Sequence, residues 1–379
     1  MAVLAQILVR VAATVATSLV LTACVTTMGT RLPLPPEATA NATIAADRTI
    51  RHWGDDPDFV AVHSAIRPGS DGIVDYLTLS GGGINGAYGA GYLVGWTARG
   101  DRPQFEVVTG ISVGAMIAPL ALLGPRYDDR LEAVLSTLTQ QDGIRVDFIS
   151  ALFGAPSVMD NKIVLTAIRA LIDAQALDEI GQAHRQGRRL YVGTTNMDAQ
   201  RPVIWDIGAI AVSNIPDKLD LVHRIILAST AVPGVFPPIL IDAQANGQPI
   251  RELHVDGGVT QQVLLMPGGY RPGGGSSASQ RKLYVIFNGV VDPQPATVTK
   301  LASLDLLERA VPTLLKYLGR ANLQQLANTA QRNGIGFRLT AIPAEFPQSK
   351  SLLGDRAWLK QLYDYGYEVG KAGVWQRSP

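Results

Sequence analysis

Two glycine-rich turns, each set between an apolar run and a helical one, constrain this chain more than any other feature. Residues 73–80 read as a buried strand and run into Gly81-Gly82-Gly83-Ile84-Asn85-Gly86. Residues 87–99 are small and apolar and read as a helix packed closely on a sheet. A second strand at 105–109 ends in Gly110-Ile111-Ser112-Val113-Gly114, and a helical run follows at 115–123. Strand, turn, helix, repeated once, is a βαβα unit, which implies a parallel sheet with a right-handed crossover. The remaining pattern extends this α/β class. Residues 125–187 and 221–229 read as helical, as do 299–333 and 355–372, with strands at 190–195, 203–205 (an edge strand), 250–255, 283–287 and 336–340. A loop rich in Gly and Ser at 268–280 reads as flexible surface. With 379 residues, 47% of them apolar, the chain can bury the core of one large domain. No internal repeat or boundary divides it after residue 70, so residues 71–379 are expected to form one domain.

Charge excludes some function classes. The formal net charge of +1 leaves no basic field for nucleic acid. Of the five histidines no two stand at H-x-x-x-H spacing, and one cysteine makes neither a disulfide nor a Cys-rich metal pattern. No zinc site is expected from these patterns.

The cysteine has another use. Arg10 is the only charge before residue 31, and residues 11–23 are apolar or small, a signal-peptide core too short to span a bilayer. The run ends Leu21-Thr22-Ala23-Cys24, which resembles the bacterial lipobox, where the thiol receives lipid. Residues 1–23 are therefore expected to be a lipoprotein signal peptide, and 24–70 the lipidated Cys24 with a tether, rich in Thr, Ala and Pro over 25–45 and forming a short helix packed on the domain edge within 46–70. Several acyl chains on one residue give durable attachment where one is marginal. Val25 after the cysteine, by resemblance to bacterial lipoproteins, implies a lipid-anchored protein of the cell envelope, sorted to the outer membrane. Membrane lipids are then the expected partner as anchor surface; the oligomeric state has no sequence signal.

The chemistry lies at the two turns. Gly110-x-Ser112-x-Gly114 matches the nucleophile elbow, in which a serine on a tight strand-to-helix turn projects its hydroxyl out of the sheet. Glycines on both flanks relieve backbone clashes, and the Val113 amide falls at a helix N-terminus, where negative charge is favoured. The consecutive amides of Gly81, Gly82 and Gly83 can form a donor nest for a tetrahedral oxyanion. Gly81-x-Gly83-x-x-Gly86 also fits the dinucleotide fingerprint, but that motif needs an acidic residue near the end of the next strand, where Gly110-Ile111-Ser112 stands instead. For the base, no histidine follows His254, so a triad in the order Ser, acid, His would need His223 or His254. Asp256-Gly257-Gly258 closes an apolar strand, and a desolvated Asp256 has a raised pKa and accepts a proton more readily. His254, two residues earlier, reads as a satisfied histidine at the sheet end or as a group tuning that carboxylate.

Gly81-Gly82-Gly83-Ile84-Asn85-Gly86, Gly110-Ile111-Ser112-Val113-Gly114 and Asp256-Gly257-Gly258, in this order, resemble the patatin-like phospholipase family. The block Ala228-Ser229-Thr230-Ala231-Val232-Pro233-Gly234-Val235-Phe236-Pro237-Pro238 resembles a further family block. The resemblance spans roughly residues 73–295 and implies a three-layer α/β fold, a mainly parallel central sheet with helices on both faces. It also implies a Ser112–Asp256 dyad working through an acyl-enzyme, with Gly81, Gly82, Gly83 and Val113 at the oxyanion, no metal and no organic cofactor, and hydrolysis of lipid carboxylic esters of the phospholipase A or lysophospholipase kind, with membrane lipids as the substrate. The alternative is a non-catalytic lipoprotein using the same fold for lipid binding or interaction. Two departures stand out. Asn85 replaces the Lys or Arg that many members carry in the glycine loop, and Val259-Thr260-Gln261-Gln262 replaces the Asn-Pro that often follows Asp-Gly-Gly.

Overall fold

The computed structural model describes residues 34–45, 47, 49–56, 66–139, 160–264, 280–295, 297–299, 303–347, 349 and 355–379. The signal peptide, Cys24 and nearly all of the loop expected at 268–280 lie outside these residues. In chain order the elements are α1 (Pro36–Ala40), β1 (Arg51–Trp53), β2 (Ile73–Leu79), α2 (Gly86–Arg99), β3 (Val107–Ile111), α3 (Val113–Leu123), α4 (Asp128–Thr139), α5 (Lys162–Leu171), α6 (Ala174–Arg185), β4 (Arg189–Asn196), β5 (Arg201–Asp206), α7 (Ile207–Val212), α8 (Lys218–Ser229), β6 (Ile239–Ala245), β7 (Gln248–Asp256), β8 (Gln280–Val290), α9 (Ser303–Arg332), β9 (Gly336–Ile342) and α10 (Arg356–Ala372).

The sheet runs β1-β5-β4-β3-β2-β8-β9, with the β6–β7 hairpin attached through β7 to β4. Strands β4, β3, β2, β8 and β9 form a parallel block, and β1, β5, β6 and β7 join antiparallel. The expected parallel sheet is thus the centre of a mixed one. Every residue of β2 from Val74 to Leu79 is buried, as a strand covered on both faces must be. One face carries most of the helices: Leu77, Leu79, Val108, Leu190 and Val192 pack with Tyr92 of α2, Ile117 of α3, Ile225 of α8 and Leu362 of α10. Tyr76, Val107, Tyr191, Leu283 and Val285 point to the other face, where Leu323, Leu326 and Ala330 of α9 cover them.

Three expectations change. The small residues of α2 serve a helix as well as the sheet, because a Cβ on Gly91 would sit 2.1 Å from the Tyr363 carbonyl of α10 and one on Gly95 2.0 Å from that of Tyr367. Val203–Trp205 is not an edge, since β1 pairs outside it. Of the stretch 46–70, where a short helix is expected, residues 57–65 lie outside the described ones and Arg51–Trp53 form β1, and part of the stretch assigned to the tether is folded onto the domain. There Ile44 and Ile50 enter the core, and the buried Arg51 guanidinium meets the buried Glu252 carboxylate of β7 at 3.0 Å. The strand read at 250–255 is β7; its hairpin partner β6 escaped the strand pattern although the turn between them has a sequence signal. Asn246 and Gly247 both take positive φ, 51° and 75°, the pair that a two-residue type I′ turn requires.

One exchange of partners positions the site. β3 pairs with β4 up to Ile111 opposite Gly193. From Thr194 onward that edge of β4 is taken by β7, with Asp256 opposite Thr194, while β5 holds the other edge throughout. The C-terminal ends of β3 and β7 therefore meet head-on beside β4.

Candidate active site

Where β3 leaves the sheet, Ser112 adopts φ 56° and ψ −127° and α3 begins at Val113. A left-handed backbone at a non-glycine residue is costly and persists only where the surroundings enforce it. Here they do. The Ser112 amide donates to Ser229 Oγ at 2.9 Å, and that hydroxyl donates to the Gly193 carbonyl at 2.7 Å. The flanking glycines serve close contact. A Cβ on Gly110 would lie 2.3 Å from the Gly114 carbonyl oxygen, and one on Gly114 2.4 Å from that of Leu79. The Ser112 side chain is buried at the sheet end.

Asp256 arrives on β7. Its amide donates to the Ala231 carbonyl at 3.0 Å, so the end of α8 grips both residues, Ser112 through Ser229 and Asp256 through Ala231. Asp256 Oδ1 accepts the Gly258 amide at 2.6 Å. Oδ2 is buried without a fully aligned hydrogen bond among the described residues. Burial pushes the carboxyl from its ordinary 3.8 up to about 6, opposed first by the nearby Ser112 hydroxyl and then by the Gly258 amide. A serine hydroxyl beside a buried, weakly satisfied carboxylate is an arrangement in which a proton can pass from one to the other, and such contacts tighten only when substrate is bound. Gly257 packs where a Cβ would strike the Gly193 carbonyl at 2.5 Å, and Gly258 supplies the amide to Asp256.

The glycine loop needs a correction. The Gly81 amide is committed to the Gln262 carbonyl at 3.0 Å, so it is not an oxyanion donor. Gly81 instead forms the wall of the site, with a Cβ there 3.3 Å from Ser112 Cβ. The amides of Gly82 and Gly83, at φ 153° and 56°, and of Val113 at the start of α3 have no such commitment among the described residues and remain as donors. Gly86 lets the loop close on α3, since a Cβ there would meet Val113 Cγ2 at 2.2 Å. Asn85 ends a 3₁₀ turn over Gly83–Asn85, with its amide on the Gly82 carbonyl at 3.1 Å. The loop is tied to β8 by Asn288, whose amide and Nδ2 donate to Ser80 Oγ and the Ser80 carbonyl at 2.7 and 2.9 Å.

Neither candidate histidine joins the pair. His223 Nε2 lies 2.7 Å from the Ile172 carbonyl oxygen. His254 is fully buried, with Nδ1 3.0 Å from Thr194 Oγ1 and Nε2 3.2 Å from Glu252 Oε2, and burial holds its pKa below the ordinary value. Both its nitrogens are engaged away from Ser112, so His254 is the satisfied histidine at the sheet end. Among the described residues no cluster of His, Cys, Asp and Glu is arranged to hold a metal ion. Ser229, Asn288 and Gln262 support the site without having been singled out for it. Ser229 stood in a quoted family block and Gln262 in the stretch that replaces the Asn-Pro of many members; Asn288 acts on Ser80, and the Gln262 carbonyl on Gly81, far away in sequence, which leaves no local signal.

The profile described as patatin-like phospholipase matches residues 77–267, from β2 through both glycine turns to the segment after Asp256. The chain belongs to that family. Membership in the patatin-like phospholipases makes lipid acyl hydrolysis its class of reaction. No curated protein matches the chain. Among solved structures, VipD from Legionella pneumophila is 12% identical with a TM-score of 0.34, the alignment covering 80% of this chain and 67% of VipD. The type III effector protein ExoU is also 12% identical, with a TM-score of 0.31, 80% of this chain and 54% of ExoU; this patatin-like chain thus spans about half the length of ExoU.

Proposed function

We propose that this protein is a membrane-anchored serine hydrolase that cleaves carboxylic esters of lipids through a Ser112–Asp256 dyad. Asp256 takes the Ser112 proton as Oγ attacks the acyl carbon. The oxyanion that forms is met by the amides of Gly82, Gly83 and Val113. Asp256 then returns the proton to the departing alcohol, leaving an acyl-enzyme, and water activated by the same carboxylate releases the fatty acid. The observation that carries this reading is the meeting of β3 and β7 at the end of β4, which brings a left-handed serine to a buried carboxyl. Incubation with a fluorophosphonate probe should label Ser112, and a lipid panel read by mass spectrometry should release free fatty acid. Absence of label in folded protein favours the binding-module alternative, and acyl esters of added alcohols would reveal transfer instead of hydrolysis. Asn85 leaves the glycine loop without a cation for a phosphate group, so neutral esters should be turned over as well as phospholipids.

Activity should fall as the medium is acidified. A carboxyl raised to about 6 must be ionised to accept the serine proton, so kcat/KM should show an acid limb centred near pH 6. Stability runs the other way. Between the unfolded value and about 6 the folded chain keeps a proton that the unfolded chain releases, so this group favours the fold increasingly as pH falls through that window. A profile flat down to pH 4.5 would remove Asp256 from the role of base.

Anchoring through Cys24 belongs to the same proposal and rests on Leu21-Thr22-Ala23-Cys24 and Val25. No described helix is long and apolar enough to cross a membrane. Cys24→Ala should move the protein from the membrane to the soluble fraction of cells, with the esterase activity of the soluble form unchanged. Retention on membranes after a high-salt wash would rule out the lipid anchor.

A further inference from the structure

Gln262 lies four residues past Gly258 and touches three parts of the site at once. Its main-chain oxygen accepts the Gly81 amide at 3.0 Å. Its side-chain Nε2 donates to the Gly258 carbonyl at 2.8 Å, and Gly258 is the residue whose amide holds Asp256 Oδ1. Its own amide donates to Asn322 Oδ1 of α9 at 2.8 Å, an oxygen that the Val263 amide also reaches at 3.4 Å. The side-chain Oε1 rests against Gly81, where a Cβ would come within 3.3 Å of it and of Ser112 Cβ alike. The orientation of the amide follows from its partner, because the Gly258 carbonyl only accepts.

We propose that Gln262 is a positioning residue for the hydrolytic reaction, locking the glycine loop and the Asp256 turn to each other, with Asn322 as its anchor on the opposite face of the sheet. This rests on the Ser112–Asp256 reading above. The physical reason is the softness of what it holds. Gly257 and Gly258 are consecutive glycines, the least restricted backbone available, and among the described residues the carbonyl of Gly258 accepts from one side chain, Gln262 Nε2. The Thr260 and Gln261 amides still close the turn on the Gly257 carbonyl, but without the Gln262 donor the Gly258 peptide is held less tightly and its amide is kept less firmly on Oδ1. That amide favours the ionised carboxylate, so its loosening both misplaces the base and makes it harder to ionise. The same movement reaches the loop through the Gly81 amide.

The test is Gln262→Leu, which keeps most of the side-chain volume and removes the donor. In the full-length protein kcat should fall about tenfold with KM changed less than about twofold, the pattern of an interaction used in the transition state. The acid limb of kcat/KM should rise by about half a pH unit. Gln262→Glu should raise it further, since a second carboxylate beside Asp256 disfavours ionisation. Asn322→Ala should act in the same direction more weakly and combine with Gln262→Leu less than additively; it also carries the test if a Gln262 variant fails to fold, as judged by thermal unfolding. Folded variants with unchanged kcat, or with lowered kcat and an unmoved acid limb, would overturn the positioning role. The two failures are separable. If Asp256→Asn stays active, the dyad itself falls; if it is inactive while the Gln262 variants keep the wild-type profile, only the role of Gln262 falls.

Discussion

Ser112→Ala and Asp256→Asn should each lower ester hydrolysis by about 10³–10⁴-fold or more, the loss seen when one member of a nucleophile–base unit is removed. The two should not add, because the dyad works as one unit. What survives belongs to the amides of Gly82, Gly83 and Val113 and to substrate binding. The stability effects differ. Ser112→Ala keeps the amide that donates to Ser229 but leaves alanine at φ 56°, so it should be neutral to mildly destabilising. Asp256→Asn preserves shape and the acceptor for the Gly258 amide while deleting a carboxyl whose burial lifts its pKa from 3.8 to about 6. At neutral pH that buried charge opposes folding, and at about 1.4 kcal/mol per pKa unit the asparagine variant should gain up to about 3 kcal/mol. Fluorophosphonate labelling, fatty-acid release and a denaturation curve on the same preparations measure all of this. An Asp256→Asn protein with wild-type turnover would disprove the dyad outright.

Gly82→Ala should be nearly as damaging by another route. Gly82 sits at φ 153°, a conformation that L residues rarely adopt. A Cβ there would lie 1.9 Å from the Asn288 carbonyl oxygen and 2.9 Å from Asn288 Cβ. The first of these atoms is backbone in the strand that holds the loop through Ser80, so the loop must move rather than a side chain swing aside. Displacing oxyanion amides should cost about 10²–10³-fold in kcat, and the strain about 2 kcal/mol or more of stability. Gly83→Ala is the contrast. Its φ is 56°, yet nothing lies within 4 Å of the added Cβ, so stability should fall by only about 1 kcal/mol, while kcat reports whether substrate occupies that open space. Equal kcat in Gly82→Ala and wild type would mean that this loop does not carry the oxyanion.

The glycine turns were legible because everything that defines them is local. An apolar run, a glycine cluster and a helical run are contiguous from residue 73 to 123, and the steric needs of the turn are written in its own residues. Elements that depend on partners were less so. β1 is three residues long and includes Arg51 and His52, so no apolar pattern marks it; it forms because Ile50 is buried and Arg51 meets Glu252. Gly81 looked equivalent to Gly82 and Gly83 until the Gln262 carbonyl took its amide. The structure also separates His254 from Asp256 in role although they are neighbours on β7, since a buried Glu252 and Thr194 claim both ring nitrogens.

By itself, the sequence determined the α/β class, the elbow at Ser112 and the chemical character of Asp256-Gly257-Gly258, because these follow from residue type and short-range spacing. Only the tertiary structure decided that Asp256 stands beside Ser112. That placement comes from one edge of β4, which pairs with β3 up to Gly193 and with β7 from Thr194. Backbone hydrogen bonds between strands carry no label of the partner's sequence, so such an exchange is set by the packing of the whole sheet. The two glycine turns that constrained the fold from the start are therefore half of the site; the other half is delivered by a strand whose register no local pattern records.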